Sequence, residues 1–389
     1  MKIAIPKELA AGQTLVAATA ATIKTYVKSG MSVAVQAGAG EGAFISDDQF
    51  RQAGASVEAD EAAVLAGADI ILKVHPPGKD AAGRDEISLM PAGSILVSML
   101  DPTKRGKLLS SLASANISAF AMELVPRITR AQPIDALSSL STVAGYKAVL
   151  LAADHLPKML PMLMTAAGTV QPCTVMVIGA GVAGLQAIAT AKRLGANVKA
   201  VDTRPVVREQ VESLGARFIH LEVAPHRAQT AGGYAKDLGE EFYRHEQETI
   251  APHLKGCDAV ISTALIPGRA APILITEAMV RSMAAGSVII DLAINNGGNC
   301  SLTKADKSVN VAGVTILGPT NLPGTMSVHA SQMYANNLAA FIQELVKDGQ
   351  VKVDTNNEIL LAMLVTHEGK VLYPPPPAVA VPQPPPKEG

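Results

Sequence analysis

Along most of the chain, short apolar runs of buried-strand length alternate with segments whose apolar residues recur at helical spacing. In the first third the runs are Lys2 to Ile5, Ser32 to Val35, Ile70 to Val74, Ser94 to Ser98 and Ile117 to Ala121, separated by helical patterns such as Ala17 to Ser29 and Lys104 to Ala115. That alternation predicts a parallel sheet with helices on both faces. From about Asp135 a long helical pattern runs towards Leu156, after which Pro157 and Pro161 interrupt it. A second series follows: strands Val175 to Ile178 and Val198 to Val201 around a helix to Leu194, a helix near Pro205 to Leu214, and a strand Arg217 to Leu221. Beyond a polar loop at 222–236 come a helix to about Leu254, strands Asp258 to Ser262 and Ser287 to Leu292 with a helix near Thr276 to Met283 between them, and Val314 to Leu317, which should close the sheet. A last helix, His329 to Val346, is expected to return the chain to the first domain.

The predicted fold class is α/β, with two doubly wound parallel-sheet (Rossmann-like) domains, a cleft between them and the first domain discontinuous. The boundaries expected are 1–137 plus 327–372 for the first domain, 138–326 for the second, and 373–389 for a tail. Two proline runs in that tail, Pro374 to Pro377 and Pro384 to Pro386, favour extended polyproline II, a spacer.

The stretch from Val175 to Asp202 carries the clearest chemistry. A buried-type strand meets Gly179, Gly181 and Gly184 in GxGxxG spacing, a helix starts near Val182, and the next strand ends on Asp202. Gly179 permits the tight turn, Gly181 lets backbone approach a pyrophosphate, and Gly184 lets helix and strand pack closely. Unpaired N–H groups and the dipole at the start of that helix suit the pyrophosphate. Asp202 lies at about the distance where a carboxylate accepts hydrogen bonds from an adenosine ribose, and a 2'-phosphate there would meet like charge. The expected ligand is NAD(H). Thr203 and Arg204 flank the same position, and Arg204 is the one feature that favours NADP(H).

Composition narrows the remaining classes. A net charge of -1 and 3% aromatic residues give neither a basic stripe nor a stacking platform, so nucleic acid is not an expected partner. Charged residues make up 17%, below the usual ~25%, which hints at a large subunit interface. Three dispersed cysteines, Cys173, Cys257 and Cys300, fit a reducing compartment, and no metal-ligand spacing occurs. Without an uninterrupted apolar run of ~18 residues, no direct membrane span is expected.

Four further stretches stand out. In AMELVPRITRAQPIDALSSLSTVAGYKAV, Arg127 and Arg130 precede Gln132, Asp135 and Ser138, after which a helix begins; taken alone, Asp135 could equally cap that helix. In TAGGYAKDLGEEF, Gly233, Tyr234 and Ala235 sit in a long glycine-rich loop. TALIPGRAAPILIT and SVIIDLAINNGGNC each follow a strand end, where nucleotide contacts belong.

Together these stretches resemble the NAD(H)-binding components of the proton-translocating nicotinamide nucleotide transhydrogenases, over essentially the whole chain. PRITRAQ with Asp135 and Ser138, GAGVAGLQAIATAKRLGA, the GGYAK loop and TALIPG are the most specific points of likeness. The resemblance implies the fold of the alanine dehydrogenase relatives. It also implies that Arg127, Gln132, Asp135 and Ser138 form the loop that holds the nicotinamide ring and its carboxamide, and act in catalysis. By the same resemblance Tyr234, between Gly233 and Ala235, is the tip of a mobile loop, Leu265 is the wall beside the nicotinamide ribose, and Gly179, Gly181, Val182, Gly184 and Asp202 serve the adenosine and pyrophosphate side. In that family a homodimer lends its NADH to a separate NADP(H)-binding component, and hydride passes directly between rings, coupled to proton movement through a membrane component. The implied location is the cytoplasmic side of the inner membrane, peripheral through those partners.

Two functions remain open within that fold. An amino-acid dehydrogenase needs a carboxylate clamp and a titratable acid/base. At the positions matching those groups in alanine dehydrogenases, this chain has Leu15, His75, Met99 and Asn295. Ring-to-ring transfer needs no proton acceptor on the enzyme, so the losses favour the transhydrogenase reading. Leu15 and Ala20 are also departures from the transhydrogenase pattern, which has Arg and Pro there.

Overall fold

The computed structural model describes residues 1–10, 12–80, 83–221, 239–266, 269–347 and 349–374. Gly233, Tyr234 and Ala235, the GGYAK loop and the tail beyond residue 374 lie outside the described residues. By internal contacts the chain forms two units, Met1–Ala136 with the chain from Tyr334 on, and Leu137–Met333.

In chain order the strands are β1 (Lys2–Ile5), β2 (Ser32–Gln36), β3 (Ser56–Glu58), β4 (Ile70–Leu72), β5 (Ile95–Ser98), β6 (Ser118–Ala121), β7 (Leu163–Thr165), β8 (Gly168–Val170), β9 (Thr174–Ile178), β10 (Asn197–Val201), β11 (Arg217–Ile219), β12 (Ala259–Ser262), β13 (Val288–Asp291), β14 (Ser308–Val311) and β15 (Val314–Leu317). The first unit's sheet runs β3-β2-β1-β4-β5-β6 in parallel, then adds Leu364–His367 and Lys370–Val371 antiparallel at the β6 edge. The second unit's sheet runs β11-β10-β9-β12-β13-β15-β14. Both are doubly wound, and in each the order reverses beside the first strand, between β1 and β4 and between β9 and β12. Central strands such as β4, β5, β12 and β13 are buried at every residue, as expected where helices cover both faces.

The sheets are mixed at their edges, where the sequence pattern predicts parallel strands only. Val314–Leu317 does not close its sheet: β14 pairs antiparallel outside it, through a turn at Ala312 and Gly313 with φ of 52° and 82°. Positive φ at both central residues is what a type I′ hairpin requires. In the first unit the edge strand is anchored by buried Val365, by Thr366 Oγ1 donating to Ile117 O at 2.8 Å, and by a 2.8 Å Ser118–His367 hydrogen bond.

Among the described residues one helix, Ala136–His155, is long and apolar enough to cross a membrane by length and composition. It packs Ala148, Val149 and Ala152 into the second unit's core beside Val175, Val177 and Ile188. Mid-helix Gly145 makes this possible, because a Cβ there would lie 2.1 Å from Ala183 O. After this helix, Met159, Met162, Leu163, Met164 and Val170, on and beside the β7–β8 hairpin, are exposed apolar side chains.

Candidate functional site

In the second unit, β9 leads through Gly179 into the helix Val182–Arg193. Gly179 has φ of 91°, which a side chain would strain. A Cβ on Gly184 would lie 1.8 Å from Gly179 O, so the helix reaches its strand only with glycine there. A Cβ on Gly181 would meet nothing within 4 Å. Space beside Gly181 is therefore open, next to a helix whose first hydrogen bond runs from Leu185 N to Gly181 O. The N–H groups of Val182, Ala183 and Gly184 precede that bond and carry the positive end of the dipole. A pyrophosphate fits this arrangement.

Asp202 directly follows β10 and is buried, 7% exposed. Its Oδ2 accepts from Ala180 N at 2.7 Å, which ties it to the glycine turn. Arg204 occupies the rest of the carboxylate: its backbone N and Nε donate to Oδ1 at 2.8 and 2.9 Å, and a terminal nitrogen donates to Oδ2 at 2.8 Å. Arg204 is thus the internal counter-ion of Asp202, and Thr203 lies half-buried between them. Sequence shows both residues but not this bidentate pairing. Nearby Glu246, on the helix Glu240–Leu254, has its pKa pushed up to about 8 by burial and by the Asp202 charge.

From the neighbouring β12, Thr263 Oγ1 donates to Gly179 O at 2.9 Å, while Thr263 N donates to Ile178 O at 2.7 Å. Thr263 was not among the residues expected from sequence; its signal was a hydroxyl at the strand end that faces the glycine turn. Leu265, two residues on, is 41% exposed.

Residues 127–138, of which the last two belong to the second unit, are more regular than the predicted loop. A 3-10 turn spans Thr129–Ile134, and the helix starts at Ala136, so Ser138 lies in its first turn rather than before it. Pro133 sits inside the 3-10 turn and Ile134 is buried beneath it. Arg127 and Gln132 are exposed; Asp135 and Ser138 are half-buried. Arg130 has a structural role, pairing with Glu344 at 3.3 Å and Glu358 at 3.7 Å. Asn337 Nδ2 donates to Pro133 O at 2.7 Å and fixes the turn from below.

The positions that would serve amino-acid dehydrogenation look different. Leu15 is buried and Met99 half-buried, and neither titrates. In the second unit, Asn295 donates to Thr320 O at 3.0 Å. His75 follows β4, and burial, then the charges of Lys73 and Arg105, push its pKa down to about 4. Glu8 binds the backbone there, accepting from Val74 N at 2.6 Å and His75 N at 3.1 Å. Beneath it, fully buried Lys73 donates to Glu86 at 2.7 Å and lies 3.7 Å from Glu8. No His/Cys/Asp/Glu group suited to a metal ion occurs among the described residues.

Comparison with known proteins gives a consistent result. The family model described as alanine dehydrogenase/PNT, N-terminal domain, matches residues 4–144, and its C-terminal counterpart matches 148–374. The first part of NAD(P) transhydrogenase subunit alpha of Rhodospirillum rubrum is 47% identical over 377 residues, covering 96% of this chain and 98% of its own. Alanine dehydrogenase of Halomonas elongata is 33% identical over 380 residues, covering 96% and 95%. The crystal structure of transhydrogenase from Sinorhizobium meliloti superposes with a TM-score of 0.85 at 42% identity, covering 95% of this chain and all of that one.

Proposed function

The chain belongs to the alanine dehydrogenase/PNT family, and from that premise we propose that it is the NAD(H)-binding component of a proton-translocating transhydrogenase. The observation that carries the choice is His75. A general base works best with a pKa near the operating pH, whereas His75, pushed down to about 4, is a weak base that stays neutral. With Leu15 and Met99 at the other matching positions, the described residues there offer no clamp-and-proton pair for an amino acid. Identity of 47% to a transhydrogenase component, against 33% to an alanine dehydrogenase, leans the same way.

A bound NADH supplies the hydride. The glycine turn and the helix Val182–Arg193 hold the pyrophosphate, and Asp202 receives the adenosine ribose, with Thr203 and Arg204 at its edge. Arg127, Gln132, Asp135 and Ser138 hold the nicotinamide ring and its carboxamide, Leu265 walls its ribose, and Gly233, Tyr234 and Ala235 belong to the closing loop. Placement of two rings at about 3–3.5 Å with water excluded can supply roughly 7–11 kcal/mol of the barrier, and it requires no acid/base from this chain. NADP(H) is assigned to a partner component, and proton movement to a membrane component.

A homodimer is part of this reading. Exposed Met159, Met162, Leu163, Met164 and Val170 form an apolar surface that a second copy would cover. The helix Ala136–His155 is apolar by composition yet only partly buried, which also suits a neighbour. In this reading the component is peripheral to the inner membrane on its cytoplasmic side. In this reading the domains are 1–137 with 327–372 and 138–326, and the tail from 373 is a spacer.

The test mixes this chain with the NADP(H)-binding component and follows transfer from NADH to a spectrally distinct NADP analogue, with pyruvate plus ammonium replacing that component in a parallel reaction. Transfer in the first only is the expected result. NADH consumption in the second only would overturn the proposal in favour of an amino-acid dehydrogenase.

A further inference from the structure

Asn299 lies at the centre of a buried polar cluster behind the nucleotide turn, and it is fully buried itself. Its side-chain amide makes three hydrogen bonds to one loop. Oδ1 accepts from Ala264 N at 3.0 Å, and Nδ2 donates to Ala264 O and Pro272 O, each at 2.9 Å. Its own carbonyl accepts from Leu274 N and Ile275 N at 2.8 and 2.9 Å. One residue therefore joins the start of the segment after β12, at Ala264, to its end at Pro272.

Asn299 is itself held. Its backbone N donates to Asp291 Oδ2 at 2.8 Å. Asp291, fully buried at the end of β13, also accepts from Ser262 Oγ, Ala293 N, Cys300 N and Thr303 Oγ1 at 2.9–3.1 Å. Gly298 lets this happen: φ is 85°, and a Cβ would lie 2.8 Å from Asp291 Oδ2. The chain from β13 thus delivers an amide to the base of the loop that presents Leu265, while Thr263 fixes the same loop to the glycine turn.

We propose that Asn299 is a positioning residue for the nicotinamide half of the nucleotide, acting through the Ala264–Leu265 backbone that it clamps. This inference rests on the reading above, in which Leu265 walls the nicotinamide ribose. A residue that only held the unit together would affect both halves of the nucleotide alike. Asn299 should affect one, because Asp202 and the glycine turn receive the adenosine half through contacts of their own.

The experiment measures dissociation constants of NADH and of 5'-AMP for the native chain, Asn299→Ala, Asn299→Ser, Leu265→Ala and the Asn299→Ala/Leu265→Ala double variant, with urea unfolding of each. Asn299→Ala is expected to weaken NADH about tenfold, the scale of a buried group left without its partner, and to leave 5'-AMP within about twofold. Asn299→Ser, which keeps a donor and an acceptor in less volume, should lose less and gives the same comparison should the alanine variant fail to fold. The double variant should bind NADH no more weakly than about the worse single variant, as residues acting through one loop do. Equal weakening of NADH and 5'-AMP, or unchanged NADH binding, would overturn the proposal. Leu265→Ala binding NADH like the native chain would instead remove the reading beneath it, and the inference with it; Leu265→Ala weakening NADH while both Asn299 variants do not would overturn the inference alone.

Discussion

The two sheets reverse strand order at the same topological point, yet their carboxyl edges differ in what occupies it. In α/β sheets this is where ligands bind. Between β1 and β4 the protein fills the place with its own charge: Glu8 receives Val74 N and His75 N, and Lys73 and Glu86 pair beneath. Tyr334 donates to Lys73 O at 2.8 Å and seals the cluster. Between β9 and β12 the bridging bond is a neutral one, Thr263 to Gly179, and the space beside Gly181 stays open. The same fold thus yields a plugged crevice and a receptive one. Side chains at two or three strand ends decide which.

That contrast can be broken most forcefully at Lys73. Lys73→Met would leave Glu8 and Glu86 buried without their cation, and removing one partner of a buried pair costs about 3–5 kcal/mol. Urea unfolding should show that loss. NADH affinity of the second unit, measured at a urea-free baseline, should remain within about twofold; a large loss would mean that the two edges are not independent.

Acid tests the plugged edge next. His75 takes a proton in the unfolded chain below its ordinary 6.5 but not in the folded one until about 4. The unfolded state therefore binds more protons in that window, and stability falls as pH drops from about 6.5 to about 4, by at most about 3 kcal/mol. His75→Gln should flatten this part of the stability–pH curve. Glu61 has the opposite sign: burial, then Glu86, push it up to about 8, so its contribution is full below about 4.5 and is lost as pH rises towards 8.

At the receptive edge, Asp202→Ala removes the proposed ribose acceptor together with Arg204's bonds to that carboxylate. NADH should weaken severalfold, a remainder rather than the full value of a charged hydrogen bond because the ribose takes over contacts that Arg204 otherwise makes, while NADPH should bind relatively better beside a guanidinium no longer held by that carboxylate. Competition titration with both nucleotides checks the ratio. An unchanged ratio would leave Arg204 without a role in selectivity.

The smallest effect on folding sharpens the glycine assignments. Gly181→Ala points a methyl into open space, so stability should stay within about 0.5 kcal/mol while NADH binding weakens. Gly184→Ala, driven against Gly179 O, should cost at least about 1–3 kcal/mol in urea unfolding. Equal stability losses in the two would refute the distinction.

What sequence could disclose followed from range. The glycine turn, its strand, its helix and Asp202 form one local unit, so spacing alone located them, and the strands and helices of both series emerged within a few residues. Ser56–Glu58 escaped notice because three residues at a sheet edge carry almost no periodicity. Leu364–His367 escaped because its partner, β6, is remote in the chain. Arg130 and Arg127 look alike in PRITRAQ, and only the fold shows that Arg130 pairs with Glu344 and Glu358. The depressed His75 was likewise illegible, since burial and the neighbouring Lys73 and Arg105 are tertiary facts. Asn299 sits in a stretch placed after a strand end, where nucleotide contacts belong, but nothing in GGN announces three bonds to a loop some thirty positions earlier.

The Asp202–Arg204 pair changes what nucleotide association means for this chain. A carboxylate waiting in water would be a sink for hydroxyl groups, and each ribose that arrived would be held by the full difference. Here Arg204 already satisfies the carboxylate, so in the proposed reading a ribose would enter by substitution, with one set of charge-assisted bonds exchanged for another. The gain is a remainder between two similar terms. In the proposed function, where the reduced nucleotide is taken up and the oxidised one given back, such shallow wells would serve turnover, because departure would be resolvated from within by the same guanidinium.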